Sequence, residues 1–129
     1  MPDQIIRVVA AVIQTDDKFL IGQRPKHKRH GSLWEFPGGK LLAKESLFDA
    51  TKRELKEELD VEVIKIGHVL YANRDEGSPF VIEFVETKIS GTPKPLEHSA
   101  LEWVTRATLQ TMKLAPTDAK FVSDHLLND

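Results

Sequence analysis

The chain has 129 residues, 40% hydrophobic and 29% charged, with 18 basic and 20 acidic side chains and no cysteine. A net charge of −2 gives no basic footprint for duplex nucleic acid, and the missing thiols exclude disulfides, thiolate zinc sites and a cysteine nucleophile. A single domain spanning 1–129 is expected, large enough for a core without staples. Charged residues at Arg7, Asp16, Asp17 and Lys18 argue against a leader peptide or membrane span, so no membrane partner and a cytoplasmic location are expected.

In chain order, Ile5 to Ile13 is an apolar, β-branched run suited to a buried central strand. Thr15 to Lys18 reads as a turn and Phe19 to Ile21 as its hairpin return. Pro25 to Ser32 is a basic, polar loop, and Leu33 to Phe36 a short strand halted by the breaker Pro37-Gly38-Gly39. A helix should start at Ser46, whose hydroxyl caps it with Asp49 three residues on, and run to about Leu59. Val61 to Ala72 and Phe80 to Ile89 are expected strands separated by a loop over 73–79. Pro93 and Pro95 mark a linker, Ala100 to Val104 a further strand, and two helices should follow near Arg106 to Met112 and Thr117 to Leu127. Strands outnumber helices around a central helix, a pattern that predicts an α/β fold with a mixed sheet sandwiched between helices.

The central helix carries the chemistry. At about 100° per residue, Glu54, Glu57 and Glu58 fall within an arc of roughly 100°. Like charges at these spacings repel by a few tenths of a kcal/mol per pair, so a cation is the natural complement. Dense hard oxygen ligands suit Mg²⁺ or Mn²⁺; the alternative is an acidic surface helix laced with Lys and Arg. Phe48, Leu55 and Leu59 form a second face that can pack onto a sheet, while Lys52, Lys56, Asp49 and Arg53 take the remaining arc. Leu47 and Ala50 fall on the carboxylate side, where Ala50 leaves room for a ligand. The five histidines show no zinc-ligand spacing.

The spacing of the surrounding residues is Gly39, five residues, Glu45, seven residues, Arg53-Glu54-Leu55-Lys56-Glu57-Glu58, one residue, Asp60, Val61. It resembles the signature of the Nudix hydrolases at every defined position but one, where Asp60 replaces glycine. Asp60 should end the helix in a left-handed conformation, at a cost of roughly 1 kcal/mol relative to glycine. The resemblance implies an α/β/α Nudix sandwich and metal-assisted hydrolysis of a nucleoside diphosphate linked to another group. It implies Glu54, Glu57 and Glu58 as metal ligands with a Gly38 or Gly39 carbonyl. Glu54 could also act on the attacking water, with Arg53 holding the glutamates and Glu45 locking loop to helix.

Trp34 to Lys40 and Leu114 to Asp118 resemble the MutT branch and its cytidine-nucleotide relatives, a likeness running from about Val8 to Leu127. It implies a small-molecule nucleotide substrate cleaved to a monophosphate and pyrophosphate, either an oxidised nucleotide or CTP and dCTP, on a monomer or homodimer. Asp118 falls at the base-reading position, with a helix N-terminal charge after Thr117 as the alternative. Arg24 can reach phosphates or base, or be a solvated arginine. Glu102 matches a position for an additional ligand or base, or is an outward strand residue. Phe36 lines a base pocket or the core; Lys40 is a candidate phosphate contact; His98 touches a base edge or lies on the surface. Hydrolysis of ADP-ribose, dinucleoside polyphosphates or nucleotide sugars is the alternative enzyme reading, though Pro79 lies later and Tyr71 earlier than the residues typical of those branches. A non-catalytic nucleotide-binding domain is the third reading, opposed by the intact carboxylates.

Overall fold

The computed structural model describes residues 4–74 and 76–127. Asp75, in the expected loop over 73–79, lies outside the described residues. The central strand β1 (Ile6–Val12) is followed by a tight hairpin, β2 (Gln14–Thr15) and β3 (Lys18–Gln23), then β4 (Trp34–Glu35) and β5 (Gly38–Lys40). Helix α1 (Leu47–Leu59) leads into the long strands β6 (Glu62–Arg74) and β7 (Phe80–Ser90). Strand β8 (Ala100–Thr105), the short α2 (Arg106–Leu109) and α3 (Pro116–Phe121) complete the order, α3 continuing into a π-helical turn at Val122–Leu126.

The strands form two sheets. The mixed sheet runs β5-β1-β7-β6, with β1 parallel to β7 and the other pairs antiparallel. A second, antiparallel sheet is built on β3, which pairs with β2, β4 and β8. The apolar run of β1 is explained by its place inside the mixed sheet, covered on both faces. Ala10 and Val12 face an aromatic core formed by Phe36, Phe84 and Phe121, whereas Ala11 and Ile13 face Leu55 and Leu59 of α1. Helix α1 therefore covers one face and α3 with its π turn the other.

Three expectations change, the first being the helix expected near Arg106 to Met112, which ends at Leu109. Gly38 and Gly39 do not simply break the chain: they form β5, antiparallel to β1 in the register Val9↔Gly39. A Cβ at Gly38 would collide with the Val9 carbonyl, so the missing side chain permits this pairing. The last helix starts at Pro116, with Ala115 rather than Thr117 at its cap. Proline suits this first position because its absent N–H would have had no helical partner. Trp34 fixes the helix start from afar, its N–H donating to the Lys113 carbonyl (2.9 Å) and its carbonyl accepting from Ala115 N–H (2.8 Å). No described helix is long and apolar enough to cross a membrane.

Candidate active site

The local grammar of α1 positions its carboxylates. Ser46 Oγ accepts from Asp49 N–H at 3.0 Å, and Asp60 ends the helix at φ 55° and ψ 43° with its N–H on the Lys56 carbonyl. Leu55 and Leu59 are fully buried. Ala50 is too: it packs on Val9 and Val85, so it does not leave room for a ligand. The anchored apolar face turns Glu54 and Glu58 toward β5. Gly39 completes the fit, because a Cβ there would occupy the space of the Glu54 carboxylate.

Arg53 ties this face to the preceding loop. Its Nε and Nη2 donate to the two oxygens of Glu45, both at 2.9 Å, its Nη1 to Glu54 Oε1 at 2.9 Å, and Nη2 also to the Lys40 carbonyl at 3.0 Å. Glu57 lies farther out, its side chain 53% exposed and 3.7 Å from Arg53 Nη1. Leu42 N–H gives Glu45 a further donor. The Arg53 guanidinium first, then that N–H, pulls the Glu45 carboxyl down to about 2. Glu58 is opposite in character. It is 4% exposed. Burial, then a shared hydrogen bond and like charge from Glu54, then Glu35 and Glu97, push its carboxyl far above the usual range.

These residues open into a cavity of about 420 Å³ whose lining combines Glu54, Glu58 and Gly38 with the basic side chains Arg24, His27 and Lys28. Among the described residues no three His, Asp or Glu side chains already converge on one metal-sized point. Arg53 holds Glu54, and Glu58 lies close enough to Glu54 for the like charge to raise its carboxyl. The donor set nonetheless fits a hard divalent cation: several carboxylate oxygens crowd one partly dry pocket, and Glu58 meets its like-charged neighbours by staying protonated. A divalent ion would replace that proton.

The other expected site residues divide. Arg24 lines the cavity, its Nη1 3.0 Å from Glu35 Oε1. The Phe36 ring is 3% exposed and packs edge-on against Phe84 and Phe121, so it belongs to the core and not to the cavity. Its backbone N–H donates to Asp118 Oδ2 at 2.9 Å. Asp118 sits in the first turn of α3, buried and outside the cavity lining, and burial raises its carboxyl to about 8 against that lowering hydrogen bond. Lys40 Nζ lies 5.2 Å over the Phe80 ring, outside the cavity lining. Glu102 is exposed on β8 opposite Ile21 and also lies outside the lining.

Six lining residues were not singled out or were read otherwise: Pro25, His27 and Lys28, read only as part of a basic loop, and Glu35, Glu97 and His98. His98 is buried, not on the surface. Alternation along Trp34-Glu35-Phe36 was the available signal for Glu35, since its neighbours point into the core. For Glu97 and His98 the signal was a polar pair directly before a strand, and nothing local aimed it inward.

The NUDIX domain family matches residues 4–125. The chain is 37% identical over 118 residues to the CTP pyrophosphohydrolase of Escherichia coli strain K12, covering 89% of this chain and 87% of that one. It is 30% identical to the 8-oxo-dGTP diphosphatase of Haemophilus influenzae, covering 100% and 96%. Among solved structures, MutT described from Aliivibrio salmonicida and Vibrio cholerae superposes with a TM-score of 0.81 at 28% identity, covering 94% and 96%.

Proposed function

The chain belongs to the NUDIX hydrolase family, and from that premise we propose that it is a divalent-metal-dependent pyrophosphohydrolase converting a nucleoside triphosphate to its monophosphate and pyrophosphate. The observation that carries this reading is the carboxylate face of α1, held by Arg53 and Glu45 against Gly39 and opening into a cavity also lined by Arg24 and Lys28. The similarity to a CTP pyrophosphohydrolase and an 8-oxo-dGTP diphosphatase supports a cytidine or oxidised nucleotide as substrate. We read the chain as one cytoplasmic domain, monomeric or homodimeric.

Glu54, Glu57 and Glu58, with a Gly38 or Gly39 carbonyl, would hold Mg²⁺ or Mn²⁺. Glu97 in the cavity takes the additional-ligand role first given to Glu102. The bound ion supplies charge neutralisation on the phosphates and a lowered pKa for an attached water. The protein supplies the rest. Arg53 fixes the Glu54 rotamer by a 2.9 Å hydrogen bond. Lys28 and Arg24 line the same cavity as the carboxylates, so anionic phosphate oxygens bound there would meet cationic side chains as well as the metal held by the glutamates. Burial raises the Asp118 carboxyl to about 8 and so favours its protonated form near neutral pH. A protonated carboxyl can donate to a ring nitrogen and accept from an exocyclic amine, the pattern that the N3 and N4 edge of cytosine offers.

The test is turnover with Mg²⁺ on dCTP, CTP, 8-oxo-dGTP, the ordinary dNTPs, ADP-ribose and diadenosine polyphosphates, for wild type and Glu57→Gln in parallel. Pyrophosphate release from a triphosphate, lost in the variant, is the expected result. Turnover confined to ADP-ribose or dinucleotides would overturn the substrate class; none at all would leave a binding domain.

A further inference from the structure

His98 lies on the segment leading into β8, with its side chain 4% exposed. Its Nε2 is 3.0 Å from Glu35 Oε2 and 3.9 Å from Glu58 Oε1, while Nδ1 is buried with no hydrogen-bond partner among the described residues. A neutral ring with no acceptor at Nδ1 keeps its proton on Nε2, where the N–H donates to Glu35. Glu35 gives its other oxygen to Arg24 Nη1 at 3.0 Å, and Arg24 Nε donates to the Arg29 carbonyl at 2.6 Å. The arrangement is a hydrogen-bonded chain from Arg24 through Glu35 to His98, whose Nε2 ends 3.9 Å from the buried carboxylate Glu58.

The seat of the ring is also specific. Gly22 on β3 lies beneath it, and a Cβ there would stand 2.6 Å from His98 Cδ2. Ser99 N–H donates to the Gln23 carbonyl at 2.9 Å and fixes the backbone beside the ring. Without the imidazole, Glu35 would lose its Nε2 partner and keep, among the described residues, the hydrogen bond from Arg24.

The geometry points to His98 as a positioning residue that, through Glu35, sets Arg24 on the substrate side at a fixed distance from Glu58 on the metal side. This rests on the roles proposed for Arg24 and Glu58. His98 touches neither substrate nor metal; it acts through the two carboxylates. Its loss therefore affects how well metal and substrate are held more than the rate once both are saturating.

The test is direct Mn²⁺ titration of the nucleotide-free protein, read by the paramagnetic signal of free Mn²⁺, together with KM and kcat on the best triphosphate. His98→Ala should weaken Mn²⁺ binding about 10-fold and raise KM by a similar factor, the usual range for losing a partner of a metal-ligating group, while kcat changes less. His98→Gln keeps an N–H donor and should recover most of both. Gly22→Ala displaces the ring while leaving the histidine present and should reproduce the defect, with no further loss in the double variant; it also carries the test should His98→Ala fail to fold. Unchanged Mn²⁺ affinity and KM in both His98→Ala and Gly22→Ala would overturn the inference, as would His98→Gln impaired as much as His98→Ala. A wild type that neither binds Mn²⁺ nor hydrolyses a triphosphate removes the proposed function and this inference together. An active wild type with indifferent variants removes this inference alone.

Discussion

Two carboxyls behave in opposite ways because their surroundings do. Glu45 gains Arg53 and a backbone N–H on folding, and its folded value of about 2 lies below the ordinary 4.5. Its stabilisation is present above 4.5 and lost as pH falls toward 2. Asp118 is raised from 3.8 to about 8, so the folded state holds a proton that the unfolded chain has released. Stability from this residue is full below 3.8 and declines as pH rises to about 8. Asp118→Asn keeps an acceptor for Phe36 N–H and should flatten that decline, as denaturant midpoints from pH 4 to pH 8 would show; an unchanged slope would mean that other groups set it. The same variant should alter the ranking of bases more than turnover on the best one. Glu58→Gln should cut turnover by orders of magnitude, yet leave the metal-free protein at least as stable near pH 7, because a neutral amide replaces a carboxyl already kept neutral by burial. Full activity in this variant would remove Glu58 from the site.

At the scale of elements, α1 is held by its ends and by one apolar face. Ser46→Ala removes the cap acceptor and should cost about 1 kcal/mol. Asp60→Gly relieves a left-handed residue at the other end but loses exposed ion pairs to Lys56 and Lys94. Such pairs are worth about 0–1 kcal/mol, so the net gain should be no more than about 1 kcal/mol, with turnover unchanged. A substantial loss in thermal melts would show that the ion pairs dominate. Leu55→Ala, beneath the carboxylates and fully buried, should cost about 2–5 kcal/mol. These features were readable in advance because cap, stop and face lie within one helix and follow its 3.6-residue period.

For the whole molecule, a divalent ion binding only the folded state adds stability by mass action, about 2.7 kcal/mol at a hundredfold excess over Kd. Mg²⁺ or Mn²⁺ should therefore raise the melting temperature of wild type, and the rise should shrink in Glu58→Gln; equal shifts in both would place the ion elsewhere. By itself, the sequence determined the boundaries of α1, the common face of Glu54, Glu57 and Glu58, the buried character of β1 and the family signature, since each is a short-range pattern of spacing and polarity. Tertiary structure alone decided that the Phe36 ring enters the core, that Glu97 rather than Glu102 reaches the cavity, and that His98 meets Glu35 and Glu58. The last two outcomes hang on the β3–β8 register, which pairs Ile21 with Glu102 and Gln23 with Ala100. A one-residue slip in that register would turn every side chain of β8 to the other face, and no local propensity sets a pairing between segments some 80 residues apart.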